Sequence, residues 1–201
     1  MSLKALMVDV DGVLIVHPDP KGWSANLERD LGLPATLLQE AFFKPHWADI
    51  LQGRAELHVR LGSVLSEIAP QLSADELVRY WFANDAHLNH ELLAQLAEVR
   101  RRGVELHLAT VQEHRRANYL WNTLDLQTHF DKMHYAADLG WAKPASQFYA
   151  EIEARTGFRG NELLLVDDRA ENVLSARQCG WHAAQWTGEQ SLNQVLQGFG
   201  V

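Results

Sequence analysis

Leu6-Met7-Val8-Asp9-Val10-Asp11-Gly12-Val13 runs from an apolar stretch into two carboxylates one residue apart, and then into a glycine. The apolar run reads as a strand, and a strand sends successive side chains to opposite faces. Asp9 and Asp11 would share a face only while the chain stays extended, and Gly12 lets the backbone turn sharply there. Two unit charges about 4 Å apart repel by ~1 kcal/mol in water and ~4 kcal/mol near a protein surface. A stable fold keeps such a pair together only where a cation or a proton serves it. On its own the motif reads equally well as two solvated acids in a turn.

Three later segments extend the pattern. Val104-Glu105-Leu106-His107-Leu108-Ala109-Thr110 is a strand-like alternation that ends on a hydroxyl. Leu139-Gly140-Trp141-Ala142-Lys143-Pro144 places a lysine on a loop, and Leu163-Leu164-Leu165-Val166-Asp167-Asp168 is a second apolar run ending in an acid pair. Asn172, Ala176 and Gly180 follow on an expected helix. The runs 3–8, 104–109, 163–166 and 181–186 read as strands, with a weaker one at Met133-His134-Tyr135. Helical patterns cover 90–102, 113–122, 145–155, 170–178 and 190–196. This alternation predicts an α/β fold, a Rossmann-like parallel sheet core with helices on both faces. In such sheets ligands sit beyond the carboxyl ends of the strands, where Asp9, Asp11, Thr110 and Asp167 would all emerge.

Residues 16–87 break the alternation and read as successive helices over 24–31, 35–43, 56–68 and 74–82. Gly32-Leu33-Pro34, Lys44-Pro45, Gly53 and Pro70 punctuate them, and Ser73-Ala74-Asp75-Glu76 has the form of a helix-start capping box. The expected organisation is a catalytic core of residues 1–15 and 88–201 with an inserted helical cap over 16–87.

In order and placement, the acid pair, hydroxyl, lysine and second acid pair resemble the four motifs of the haloacid dehalogenase superfamily. The tail Asp168-Arg169-Ala170-Glu171-Asn172-Val173 with Ala176-Arg177 and Gly180 looks most similar to one phosphatase branch. That branch holds bacterial sugar-phosphate phosphatases of the glucose-1-phosphate type and the N-terminal phosphatase domain of epoxide hydrolases. The resemblance implies a magnesium-dependent phosphatase acting on a small phosphomonoester, such as a sugar phosphate, through an aspartyl-phosphate. It casts Asp9 as nucleophile and Asp11 as general acid and base, with Thr110 and Lys143 on the phosphoryl oxygens. Asp9, the Asp11 carbonyl, Asp167 and Asp168 would hold Mg2+, a hard cation that takes oxygen ligands. Relatives in this branch often carry an asparagine just after the hydroxyl. Val111-Gln112 stands here instead, so a hydrogen bond to phosphate or nucleophile is expected to be missing.

Other chemistries on the same fold stay open at this point. Haloacid dehalogenation has no need of Asp11. A sugar phosphomutase would use the same acids, and a non-catalytic phosphate-binding regulatory protein would keep the fold. A phosphonate hydrolase would need a desolvated cap lysine, and neither Lys21 nor Lys44 has an apolar setting.

The 201 residues suit one core plus a small cap, and a net charge of −8 argues against a general nucleic-acid or anionic-membrane binder. An anionic substrate must then be drawn by local positive charge. The single cysteine, Cys179, excludes an intrachain disulfide, points to a reducing compartment and reads as a small buried thiol. The opening residues are too short for a signal peptide's apolar core, and no run approaches a membrane span. The expectation is a cytoplasmic protein, monomer or homodimer, whose partner is a small phosphorylated metabolite.

Ten histidines invite a metal reading. His87 and His90 are spaced to share a helix face, but no third ligand stands near them, and zinc needs three or four. His107 reads as packed. Trp23, Trp47 and Trp81 would serve as core packing, an apolar lid or a sugar-stacking face. Arg54, His46 and Trp47 are the candidate substrate-selecting residues, and Asn172 is expected to bond the second acid loop rather than touch substrate.

Overall fold

The computed structural model describes residues 3–199. Five strands, β1 (Ala5–Val8), β2 (Glu105–Thr110), β3 (Lys132–Tyr135), β4 (Leu163–Asp167) and β5 (His182–Gln185), form one sheet in the order β3-β2-β1-β4-β5. Every pairing is parallel, and Met7 of β1 stands opposite His107 of β2 and Leu165 of β4. Period-two alternation sorts the side chains. Leu6, Val8, Leu106, Leu108, Leu164 and Val166 face the helix His90–Arg101 and the short helix Leu192–Leu196. Ala5, Met7, Leu163 and Leu165 face Phe148, Tyr149 and Ile152 of helix Ser146–Thr156, and Val173 and Ala176 of helix Ala170–Gln178. Both faces are therefore covered, which is why the central strands are almost continuously apolar. Each buried valine or leucine contributes about 1.5–3 kcal/mol.

The chain steps outward from β1 to β3, then returns across the sheet to β4 on the other side of β1. The strand order therefore reverses at the β1/β4 junction, where open α/β sheets form their ligand crevice.

Between β1 and β2, helices Leu57–Ile68 and Ala74–Asn84 build a separate apolar cluster with the segment before them, around Leu27, Leu38, Phe42, Ile50, Leu61, Leu65, Leu77 and Trp81. Ser73 and Glu76 form the expected reciprocal capping box. One local expectation fails. Lys44-Pro45 does not end a helix: the helix is continuous over 35–51, through a wide π turn at Gln39–Phe43. There the Lys44 N–H bonds the Gln39 carbonyl, five residues back rather than four. An interior proline lacks an N–H and presses on the carbonyl four residues earlier. Widening the turn just ahead of Pro45 lets the helix run on. A second π turn, Tyr119–Thr123, follows helix His114–Asn118 in the same way. Cys179, expected to be a buried thiol, is only partly buried, at the C-terminal cap of helix Ala170–Gln178. Among the described residues, no helix is long and apolar enough to cross a membrane.

Candidate active site

Asp9 leaves the end of β1, Thr110 ends β2 and Asp167 ends β4, so three neighbouring strands deliver them to one edge. The Asp9 N–H bonds the Val166 carbonyl at 3.0 Å, which carries the β1–β4 pairing one residue past the strand. Lys143 arrives on the loop before helix Ser146–Thr156. A 2.5 Å bond from Ser175 Oγ to the Pro144 carbonyl ties that loop to helix Ala170–Gln178.

Lys143 is the centre of the arrangement. Its Nζ donates at 2.5 Å to Asp167 Oδ2 and at 2.7 Å to the Ala109 carbonyl, and lies 3.0 Å from Asp9 Oδ2. Three partners match the three donors of an ammonium. The Asp9 Oδ1 accepts the Val10 N–H at 2.8 Å. Asp167 Oδ1 accepts the Arg169 N–H and Asn172 Nδ2, each at 2.9 Å, and Asn172 is held in turn where Tyr149 Oη bonds its carbonyl at 2.9 Å. Asn172 thus bonds the acid loop, as its position after the second acid pair implies.

Asp168 completes a cluster. Asp9, Asp167 and Asp168 each offer an oxygen within 4.8 Å of the others. Among the described residues this is the one group of three or more histidine, cysteine or carboxylate side chains so placed, and His87 and His90 are not part of it. Gly12 is what allows it: its φ is +76°, and a Cβ there would lie 2.4 Å from Asp168 Oδ2.

Three carboxylates around one ammonium leave a surplus of negative charge. Burial, only partly offset by Lys143 and reinforced by Asp167 and Asp11, pushes the Asp9 carboxyl up to about 7. Burial and Asp167 raise Asp168 as well. The donors are all hard oxygens and the deficit is one of positive charge, so the cluster fits a small divalent cation.

Asp11 is set apart from this group. It is exposed to the cleft. The protein crowded around its carboxyl and the charge of Asp85 raise its pKa, while Arg116 and Gln112 oppose the rise. Gln112 Nε2 donates to Asp11 Oδ2 at 2.7 Å and stands 3.4 Å from Thr110 Oγ1.

These features define a Rossmann-like α/β protein with a lysine-bridged acid site at the carboxyl edge of its sheet. The chain belongs to the haloacid dehalogenase-like hydrolases, whose family model matches residues 3–180, and is thus an enzyme of that hydrolase family. Among solved structures it is similar to a HAD family enzyme from Bacteroides thetaiotaomicron, crystallised with magnesium and inorganic phosphate. That likeness has a TM-score of 0.80 at 15% identity over 96% of this chain and 99% of the other. A HAD-like hydrolase from Porphyromonas gingivalis aligns with a TM-score of 0.78 at 20% identity, covering 98% of each chain. The L-2-haloacid dehalogenase of Xanthobacter autotrophicus, with chloropropionic acid covalently bound, aligns at 0.64 and 19% identity over 97% of this chain and 81% of the other. At such identities the likeness speaks for the fold. No curated protein sequence matches the chain.

The structure brings Asp9, Asp11, Thr110, Lys143, Asp167 and Asp168 to one edge. Arg54, His46 and Trp47 have their contacts within the helical segment instead. Arg54 is exposed and paired with Asp49 at 2.7 Å. His46 lies against Phe42, and Trp47 packs with Phe43 and Trp81. Trp23 stacks on Trp81 at 5.1 Å, so the three tryptophans Trp23, Trp47 and Trp81 pack together.

Two neighbours of the site escape the sequence reading. Gln112 is placed there as a lost bond, yet it acquires the acid Asp11 as its partner. Arg116, only 2% exposed, reaches the Phe82 and Asp85 carbonyls and lies 3.3 Å from the Asp85 carboxylate. It thereby caps the end of helix Ala74–Asn84. In the sequence it is one of two adjacent arginines on a helix, and nothing local marks it.

Proposed function

We propose that this hydrolase is a magnesium-dependent phosphatase of small phosphomonoesters, sugar phosphates among them, working through a phosphoryl group held on Asp9. The observation that carries this reading is Asp11, a second acid at the mouth of the cleft with a hydrogen-bonded carboxyl. A halide departs as a weak base and needs no proton, whereas an alkoxide departs readily only when protonated. Asp11 therefore has work to do on a phosphate ester and none on a haloacid.

In the proposed reaction the Asp9 carboxylate attacks phosphorus and the bond to the leaving oxygen breaks. That oxygen takes its proton from Asp11. Asp11, now a carboxylate, then draws a proton from the water that attacks the same phosphorus, and inorganic phosphate departs from Asp9. Thr110 and Lys143 hold the phosphoryl oxygens, and Lys143 also keeps Asp9 and Asp167 from repelling each other. Mg2+ would be held by Asp9, the Asp11 carbonyl, Asp167 and Asp168, and when bound supplies charge neutralisation for the phosphoryl oxygens. The magnesium and phosphate in the Bacteroides neighbour support this choice of cation and substrate.

Residues 16–87 would act as a cap on the core of 1–15 and 88–201, with Arg54, His46 and Trp47 selecting the substrate. Support comes from Gly53, φ +68°, where a Cβ would lie 2.4 Å from the Ala137 carbonyl of the core. The loop beside Arg54 thus touches the core close to the strand ends. The setting proposed is cytoplasmic, with the protein a monomer or homodimer.

The test compares phosphate release from a panel of sugar phosphates with chloride release from 2-chloropropionate, each with magnesium. Phosphate release without chloride release is expected. Chloride release without phosphate release would overturn the proposal.

A further inference from the structure

Gln112 is 5% exposed, and its side chain faces the cleft acid rather than the metal cluster. An amide Nε2 can only donate. The 2.7 Å bond to Asp11 Oδ2 therefore makes Oδ2 an acceptor, and leaves Oδ1 as the oxygen free to carry a proton. The second contact, 3.4 Å to Thr110 Oγ1, anchors the same amide to the end of β2. The backbone around Gln112 is fixed as well. Its carbonyl accepts the Ala137 N–H at 3.1 Å, and the next residue, Glu113, caps helix His114–Asn118 through its carboxylate. A buried donor on a fixed backbone thus holds one oxygen of the Asp11 carboxyl.

We infer that Gln112 is a positioning residue for the proton donor: it fixes the Asp11 carboxyl so that Oδ1 faces the leaving oxygen of the substrate. This rests on the phosphatase reading above. In the step concerned, the ester P–O bond breaks and its electron pair stays on the leaving oxygen. The proton on Asp11 Oδ1 passes to that oxygen, and Asp11 is left ionised with Oδ2 still held by Gln112. A carboxyl without that bond is free to turn between rotamers, and few of them aim the proton correctly.

The consequence depends on the leaving group, and a merely structural role would not. A nitrophenolate is a weak base and departs with little help. An alkoxide is a strong base and relies on the proton, which is worth roughly 100-fold or more in rate. The experiment measures kcat/KM, which reports the steps through P–O cleavage, for p-nitrophenyl phosphate and for glycerol phosphate with magnesium. Wild type is compared with Gln112→Met, which keeps the length and loses the donor. Gln112→Asn, which keeps the amide but is one methylene shorter, serves as the second variant should the first not fold. The expected result is a loss on the alkyl ester at least about tenfold larger than the loss on the aryl ester. Equal losses on the two esters, in a variant with the wild-type unfolding midpoint, would overturn the role of Gln112 alone. A folded wild type inert towards both esters would overturn the phosphatase reading and this inference with it.

Discussion

A fully buried lysine is costly unless something charged meets it, and Lys143 meets two carboxylates and a carbonyl at once. The reverse also holds: Asp9 and Asp167 would repel strongly without it, and Asp168 adds to the surplus. Removing one partner of a buried ion pair typically costs ~3–5 kcal/mol, because the other charge is left uncompensated. Lys143→Met should therefore lower the thermal unfolding midpoint sharply, and magnesium should restore part of the loss, since a second cation can serve the same acids. Unfolding scans with and without magnesium check this. An unfolding midpoint equal to wild type without the metal would show that Lys143 is not what holds the acids together. Gly12 makes a related point about single residues. In the sequence it reads only as a turn, whereas in the fold its missing Cβ is the space into which Asp168 packs.

At the scale of elements, β2 and β3 share a buried histidine pair. His134 Nε2 and His107 Nδ1 lie 3.2 Å apart, and His107 Nε2 is 2.9 Å from Glu105 Oε2. Burial, helped by His107, Lys132 and Arg155, pushes His134 down to about 3, and burial lowers His107 too. Both rings are thus neutral in the folded chain, while in the unfolded chain each takes a proton near pH 6.5. The unfolded state then binds more protons between the two values, so stability is complete above about pH 6.5 and falls as pH drops towards 3. For His134 alone the loss between pH 7.5 and 5.5 is roughly 1 kcal/mol. Urea unfolding of wild type and His134→Gln at those two pH values measures it, and the variant should lose less. Equal losses would contradict a neutral, buried His134. The strands themselves were legible because short, continuously apolar runs that end in polar residues are what a parallel strand buried on both faces requires. The continuous helix over 35–51 was not, because a proline signals a stop and the π turn that absorbs it has no sequence mark. Gln112 and Asp11 are 101 residues apart, and no local pattern could join them.

For the whole molecule, the decisive feature is the strand order β3-β2-β1-β4-β5, which sets β1 in the middle and opens a crevice at its carboxyl end. The four motifs could be read because each ends an apolar run or follows one, so topology alone gathers them. Substrate choice could not be read in the same way. Arg54, His46 and Trp47, the proposed selectors, belong to a helical segment whose aromatic residues pack chiefly on one another, and no motif there names a substrate. Under the proposed function, and against a net charge of −8, an anionic ester would have to be held by charge concentrated at this one edge, by Lys143 and a divalent cation beside Asp9. The most direct test is phosphate release from p-nitrophenyl phosphate by wild type and by Asp9→Asn, each with magnesium and with EDTA. Release by wild type that needs magnesium and vanishes with Asp9→Asn is the predicted result. Release that persists in folded Asp9→Asn protein, or that EDTA leaves untouched, would contradict a metal-assisted reaction through Asp9.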